Sequence, residues 1–130
     1  MLNSVPVFPI LLSTDMEASR KFYGETLGLE FASEFRIGDE VDRLVFKAGD
    51  GTQVVISHST IGTSDTQTQC AFRVPDLRAA ITELRARGVT FEEYGEPTPT
   101  DDGICDMGHS WAAWIVDPCR NVLGVVQPKG

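Results

Sequence analysis

Basic residues, histidines, cysteines and long apolar runs are all scarce in this chain. Eleven Lys and Arg stand against 19 Asp and Glu, which leaves a formal charge of −8. Nucleic acid is held through an excess of Lys and Arg on its phosphates, so it is excluded as a partner. An acidic field instead favours cationic ligands and solubility. No run approaches the roughly 20 apolar residues of a membrane span. The short apolar stretch Val5–Leu12 has no basic start and holds Pro6 and Pro9, so no secretory leader is expected. Three cysteines, at Cys70, Cys105 and Cys119, are an odd number without regular spacing. They exclude a disulfide framework and point to a reducing cytoplasm. What remains is ordinary for one globular domain: 130 residues, 42% hydrophobic and 23% charged.

The positive signal is a repeat. Pro9-Ile-Leu-Leu-Ser-Thr-Asp15, an amphipathic helix and Leu27-Gly-Leu-Glu-Phe31 recur as Cys70-Ala-Phe-Arg-Val-Pro-Asp76, a helix to Arg87 and Gly88-Val-Thr-Phe91. Asp15 and Asp76 stand where a helix N-cap is wanted. Ala18, Phe22, Tyr23 and Leu27 make one apolar helix face, and Leu77, Ala80, Ile81 and Leu84 the other. Gly28 and Gly88 end the two helices.

Strands are predicted at Val5–Leu12, Leu29–Ile37, Val41–Ala48 and Gln53–His58. A second set is predicted at Gln69–Val74, Val89–Tyr94, Ser110–Val116 and Val122–Gln127. Gly49-Asp50-Gly51 marks a hairpin. The polar stretch Ser59–Thr68 is the linker, and Gly95–His109 is the longest loop. The fold class is therefore α+β: two β-α-β-β-β modules, about 1–60 and 69–130, within a single domain of 1–130.

In this order the pieces resemble a known family, the glyoxalase / bleomycin-resistance / extradiol-dioxygenase superfamily, or vicinal oxygen chelate proteins. The resemblance rests on Leu12-Ser-Thr-Asp-Met-Glu-Ala-Ser-Arg-Lys-Phe-Tyr23 with Leu27-Gly-Leu29, and on Trp114-Ile-Val-Asp-Pro118 with Asn121-Val-Leu-Gly124. The family pattern in the last turn is Asp-Pro-Asp-Gly-Asn. This chain departs from it at Cys119 and Arg120, which puts the glycine-containing turn in question. The resemblance implies curved mixed sheets around a cleft, completed in a homodimer.

It also implies four strand positions at which family metalloenzymes place His, Gln or Glu. Here they hold Phe8, Val55, Gln69 and Gly124. Three of these have no lone pair to offer, and known sites need three or four N, O or S ligands. A one-residue register slip exchanges faces, yet among the neighbouring residues only Cys70 is able to ligate. No metal and no cofactor are expected.

Strand parity places Phe8, Ile10 and Leu12 on the cleft side, with Gln53, Val55 and Ser57 beside them. Gln69, Ala71, Arg73, Val122, Gly124 and Val126 join from the second module. This mostly apolar floor with a few polar groups suits a small molecule. Gly124 leaves room either for a ligand or for local packing, and Arg73 either meets an anionic group or pairs with an acid. Trp111 and Trp114, three apart, fall on opposite strand faces. An aromatic wall beside Asp101, Asp102 and Asp106 suits a planar cation; one core and one interface tryptophan is the plainer arrangement. His58 is expected at a strand end. His109 is placed to pair with Cys105 or Asp106, and Cys119 is expected to be exposed.

The reading that follows is a metal-free binding protein of the bleomycin-resistance type. As a cytoplasmic homodimer it sequesters a small molecule, a cationic aromatic antibiotic being the example. Its expected cleft residues are Phe8, Ile10, Gln53, Val55, Ser57, Gln69, Arg73, Asp106, Trp111, Trp114 and Gly124, and none is assigned a catalytic role. The alternative is a metal-dependent lyase, isomerase or dioxygenase with a non-standard site drawn from His58, His109 and Asp106. A third reading is a silent protein whose cleft is filled by its own side chains.

Overall fold

The computed structural model describes residues 1–64 and 66–130. Contacts divide the chain into two compact units, Met1–Gly62 and Thr63–Gly130. The division falls within the expected linker, Ser59–Thr68, of which Asp65 lies outside the described residues.

In the first unit, β1 (Ile10–Ser13) leads to α1 (Met16–Lys21), followed by β2 (Glu30–Ile37), β3 (Glu40–Lys47) and β4 (Gln53–His58). The sheet order is β1-β4-β3-β2, with β1 and β4 parallel and the other pairs antiparallel. Asp15 caps α1, its carboxylate accepting the Ala18 N–H at 3.1 Å. The helix runs on into a single π-helical turn, Phe22–Thr26, closed by the Leu27 N–H on the Phe22 carbonyl at 2.8 Å. That turn delivers Tyr23 to the core, fully buried with its ring centroid 6.0 Å from that of Phe46. Gly28 then takes a left-handed φ of 75°, which a side chain resists. Leu11, Leu44, Phe46, Val54 and Ile56 complete this core. Each such side chain contributes roughly 1.5–3 kcal/mol on leaving water.

β1 is shorter than the predicted Val5–Leu12. Pro6 and Pro9 have no N–H to give a ladder, and Val5 and Val7 remain exposed. Only the Pro9 carbonyl joins the sheet, accepting the Val55 N–H at 3.1 Å.

The second unit repeats the plan with β5 (Thr68–Arg73), α2 (Leu77–Ala86), β6 (Cys105–Asp106), β7 (Ser110–Val116) and β8 (Val122–Pro128). The order β5-β8-β7-β6 has β5 and β8 parallel and the rest antiparallel. Asp76 caps α2 through the Ala79 N–H at 3.1 Å, as Asp15 does for α1. Leu77, Ile81, Val89, Phe91, Ile115, Leu123 and Val125 form the buried core.

The predicted strand Val89–Tyr94 does not form. Glu92 alone bonds to β7, its N–H on the Trp114 carbonyl at 2.9 Å, while the Tyr94 N–H is taken by Thr100 Oγ1 at 2.8 Å. With the Tyr94 donor spent within the loop, this edge keeps only the two residues of β6 as a strand among the described residues.

The turn between β7 and β8 holds despite the missing family glycine. Buried Asp117 accepts the N–H groups of Cys119 and Asn121 through Oδ1, at 2.9 and 2.8 Å, and the Asn121 amide through Oδ2 at 2.8 Å. Arg120 takes the left-handed conformation itself, φ 74°. Cys119 is buried, contrary to the expected exposure, because this carboxylate folds the turn back over its backbone.

Candidate functional site

On the first sheet, Ile10 lies opposite Val55 and Leu12 opposite Ser57, while Val45 and Arg43 continue the same rows on β3. These residues share the face away from α1, as strand parity implies. Val55 is buried, Ile10 is 46% exposed, and Gln53 and Ser57 sit toward the two ends of β4. Phe8 precedes β1 and is exposed, so the cross-strand neighbour of Val55 is Ile10. His58 is exposed at the end of β4.

On the second sheet, Ala71, Gly124 and Trp114 form one row across β5, β8 and β7, and Arg73, Val126 and Ala112 the next. The Trp114 indole lies across Gly124 and donates its N–H to Thr68 Oγ1 at 3.1 Å. A methyl built on Gly124 would stand 3.8 Å from the indole nitrogen and 3.5 Å from both Ala71 Cβ and Thr68 Cγ2. The room at Gly124 is therefore taken up by this chain's own tryptophan. Tyr94 meets the indole edge-on, with centroids 5.5 Å apart.

A pocket of about 420 Å³ opens at this aromatic pair. Trp114 and Val122 line it together with Thr66, Gln67 and Thr68 of the linker and β5 and with Tyr94, Pro97 and Thr98 of the long loop and the segment before it. Gln67, Thr66, Pro97 and Thr98 went unnoticed in the sequence because the linker and the long loop carry no periodic pattern.

Gln69 sits at a bulge between β5 and β8. Its side-chain oxygen accepts the Val122 N–H at 3.2 Å, and its amide N–H reaches Thr63 Oγ1 at 3.5 Å. It clips two strands together. Arg73 is exposed and makes no ion pair among the described residues.

Trp111 lies on the opposite face of β7, beside α2, in a separate pocket with Leu77, Ile104 and Gln127. Lys129 stands 4.8 Å over its ring and bonds Asp106 at 2.6 Å. That lysine, and then the Gly108 N–H, hold the Asp106 carboxyl below the usual carboxylate range. Asp102 pairs with Arg85 at 3.1 Å. The structure thus places Asp106 with Trp111 and away from Trp114, so the two tryptophans do not share an acidic aromatic wall. The possible pairs of His109 do not form either. Its Nδ1 lies 2.9 Å from Ser110 Oγ, whereas the buried Cys105 thiol contacts the Met107 sulfur at 3.5 Å.

The sequence profile of the Glyoxalase/Bleomycin resistance protein/Dioxygenase superfamily matches residues 7–124. The chain belongs to that superfamily. No curated protein matches it in sequence. Among solved structures, a glyoxalase family protein from Enterococcus faecalis superposes with a TM-score of 0.72 at 21% identity, covering 97% of this chain and 99% of its own. TnmS3, an antibiotic binding protein from Streptomyces sp. CB03234, gives 0.71 at 20% identity, covering 97% and 98%. A bleomycin-binding protein complexed with bleomycin gives 0.70 at 20% identity, covering 97% and 100%. At these identities the likeness establishes the fold.

Whether this superfamily member suits a metal is decided by its donors. Phe8 and Val55 have none, the Gln69 oxygen is engaged by the Val122 N–H, and the Trp114 indole lies over Gly124. The residues directly across from Val55 and Gly124, Ile10 and Ala71, add nothing. Cys70 is paired with Leu123, and burial pushes its thiol up, which keeps it protonated and a poor ligand. Among the described residues no three His, Cys, Asp or Glu side chains gather in a metal-holding group. The superfamily's metal position and this chain's residues do not fit each other.

Proposed function

We propose that this protein binds a small aromatic molecule without a metal and acts by sequestering it, in the manner its antibiotic-binding relatives suggest. The observation that carries the reading is the Trp114–Tyr94 pair, held edge to face over a pocket of about 420 Å³. That volume lies within the range usual for small-molecule sites. The indole is anchored to Thr68 and so presents a fixed surface, which lowers the ordering cost of binding. The working form is a homodimer: Phe8, Ile10, Phe35 and Ile37 are exposed apolar side chains of the first unit that a second copy would cover. Sedimentation at micromolar concentration tests the dimer.

The binding test uses the protein's two tryptophans. Bleomycin and planar aromatic antibiotics are titrated against wild type, Trp111→Leu and Trp114→Leu, with emission as the readout. Quenching and saturable binding should persist in Trp111→Leu and be lost in Trp114→Leu. Thr68→Val, which removes the indole's acceptor together with that hydroxyl's own proton, should weaken binding with the ring retained. Equal binding by both tryptophan variants would sink the proposal. The indole lying over Gly124 supports a second reading, a self-filled and silent site. Failure of every compound to bind the wild type would favour it.

A further inference from the structure

The charges around Trp114 run against the expectation set by the −8 of the whole chain. Among the described residues, none that lines its pocket carries a charge. Glu92, Glu93 and Glu96 flank Tyr94 in sequence but do not line it. The Glu93 carboxylate is turned to Thr100 Oγ1 and the Gly103 N–H, at 2.6 and 3.0 Å. Two lining groups have hydrogen-bonding capacity to spare: the Gln67 amide and the Thr98 hydroxyl make no side-chain hydrogen bond with another described residue. Thr68 Oγ1 accepts the indole N–H and still has its own proton to donate.

We infer that the ligand group held at Trp114 is uncharged, a flat aromatic unit carrying hydroxyl or carbonyl groups that Gln67 and Thr98 read. This rests on the aromatic-site reading above and narrows it. The physical reason is desolvation. A charged group entering a pocket whose described lining holds no countercharge loses water that the ring faces replace only in part for a cation and not for an anion, whereas a hydroxyl or carbonyl exchanges water for Gln67 and Thr98. Glu93 and Glu96, the acids next to lining residues in sequence, are exposed, where water and salt weaken their pull on a ligand. The acidity of the chain thus serves its solubility and leaves the pocket's selectivity to neutral hydrogen bonds.

The test compares four compounds on one ring system: naphthalene, 2-naphthol, 2-naphthoate and 2-naphthylmethylammonium, by equilibrium dialysis at neutral pH. The 2-naphthol should bind about tenfold more tightly than either charged compound, consistent with a penalty for an unpaired charge. In the double variant Gln67→Ala, Thr98→Val, the preference for 2-naphthol over naphthalene should fall by about fivefold, the scale of one hydrogen bond. Should the ammonium or the carboxylate match or exceed 2-naphthol in wild type, with binding still dependent on Trp114, the neutral-ligand inference is wrong and the aromatic site survives. Binding that Trp114→Leu leaves intact overturns both.

Discussion

Trp114 on β7 reaches across Gly124 on β8 to donate its indole N–H to Thr68 on β5, at 3.1 Å. One side chain thereby spans three strands and turns a bare sheet face into a fixed aromatic surface. A small residue in the middle strand leaves the indole this path.

Gly124→Ala should be tolerated within about 1 kcal/mol, since the added methyl meets its neighbours at 3.5–3.8 Å, ordinary contact. Gly124→Val should cost about 1–3 kcal/mol, because its branches must lift the indole and break the bond to Thr68. Urea unfolding measures the loss, and near-ultraviolet circular dichroism reports the displaced indole.

At the β7–β8 turn, Arg120 adopts φ 74° where a glycine is at ease. The left-handed conformation costs an ordinary residue about 1–2 kcal/mol, partly offset by the entropy glycine loses on folding. Arg120→Gly should therefore raise stability by about 0.5–1 kcal/mol. Asp117→Ala should lower it by about 3 kcal/mol, since three donors lose a buried acceptor. Urea midpoints at neutral pH distinguish the two signs.

Two ion-paired carboxylates, Asp106 exposed and Glu34 half-buried, tie stability to acid. Asp106 is lowered by Lys129 and then by the Gly108 N–H; Glu34 is lowered by Arg36 and then by Arg20. A carboxylate with a depressed folded-state pKa stabilises fully above its ordinary value and loses that contribution as pH falls through the folded one. Stability should therefore decline below the ordinary carboxylate range. Asp106→Asn and Glu34→Gln should each flatten the decline by lowering the high-pH plateau slightly toward the acid value. Identical acid slopes in variant and wild type would contradict the assignment.

Protein grown with added Ni, Mn, Fe or Zn and purified without chelator should hold no stoichiometric divalent metal by elemental analysis. Dialysis against EDTA should leave the thermal midpoint in place, since a ligand that does not bind the native state cannot stabilise it. A chelator-sensitive midpoint would reopen the metalloenzyme reading.

Local chemistry was sufficient, from the amino-acid sequence alone, for the repeat and for most of its elements. Asp15 and Asp76 announce helix starts because a short carboxylate satisfies N–H groups that nothing else in the first turn accepts. Gln53–His58 and Ser110–Val116 announce strands through their apolar side chains. Tertiary structure decided the rest. Val89–Tyr94 has strand composition, yet the Thr100 hydroxyl takes the Tyr94 donor that a ladder would need. Gln69 stands at a ligand position, yet its oxygen is spent on the Val122 N–H. Gly124 reads equally as room for a ligand and as local packing, and only the fold shows the Trp114 indole beside it. In each case the outcome hangs on one partner distant in sequence or hidden in an irregular loop. Periodicity does not record such partners, because it registers which face a residue takes and not what meets it there.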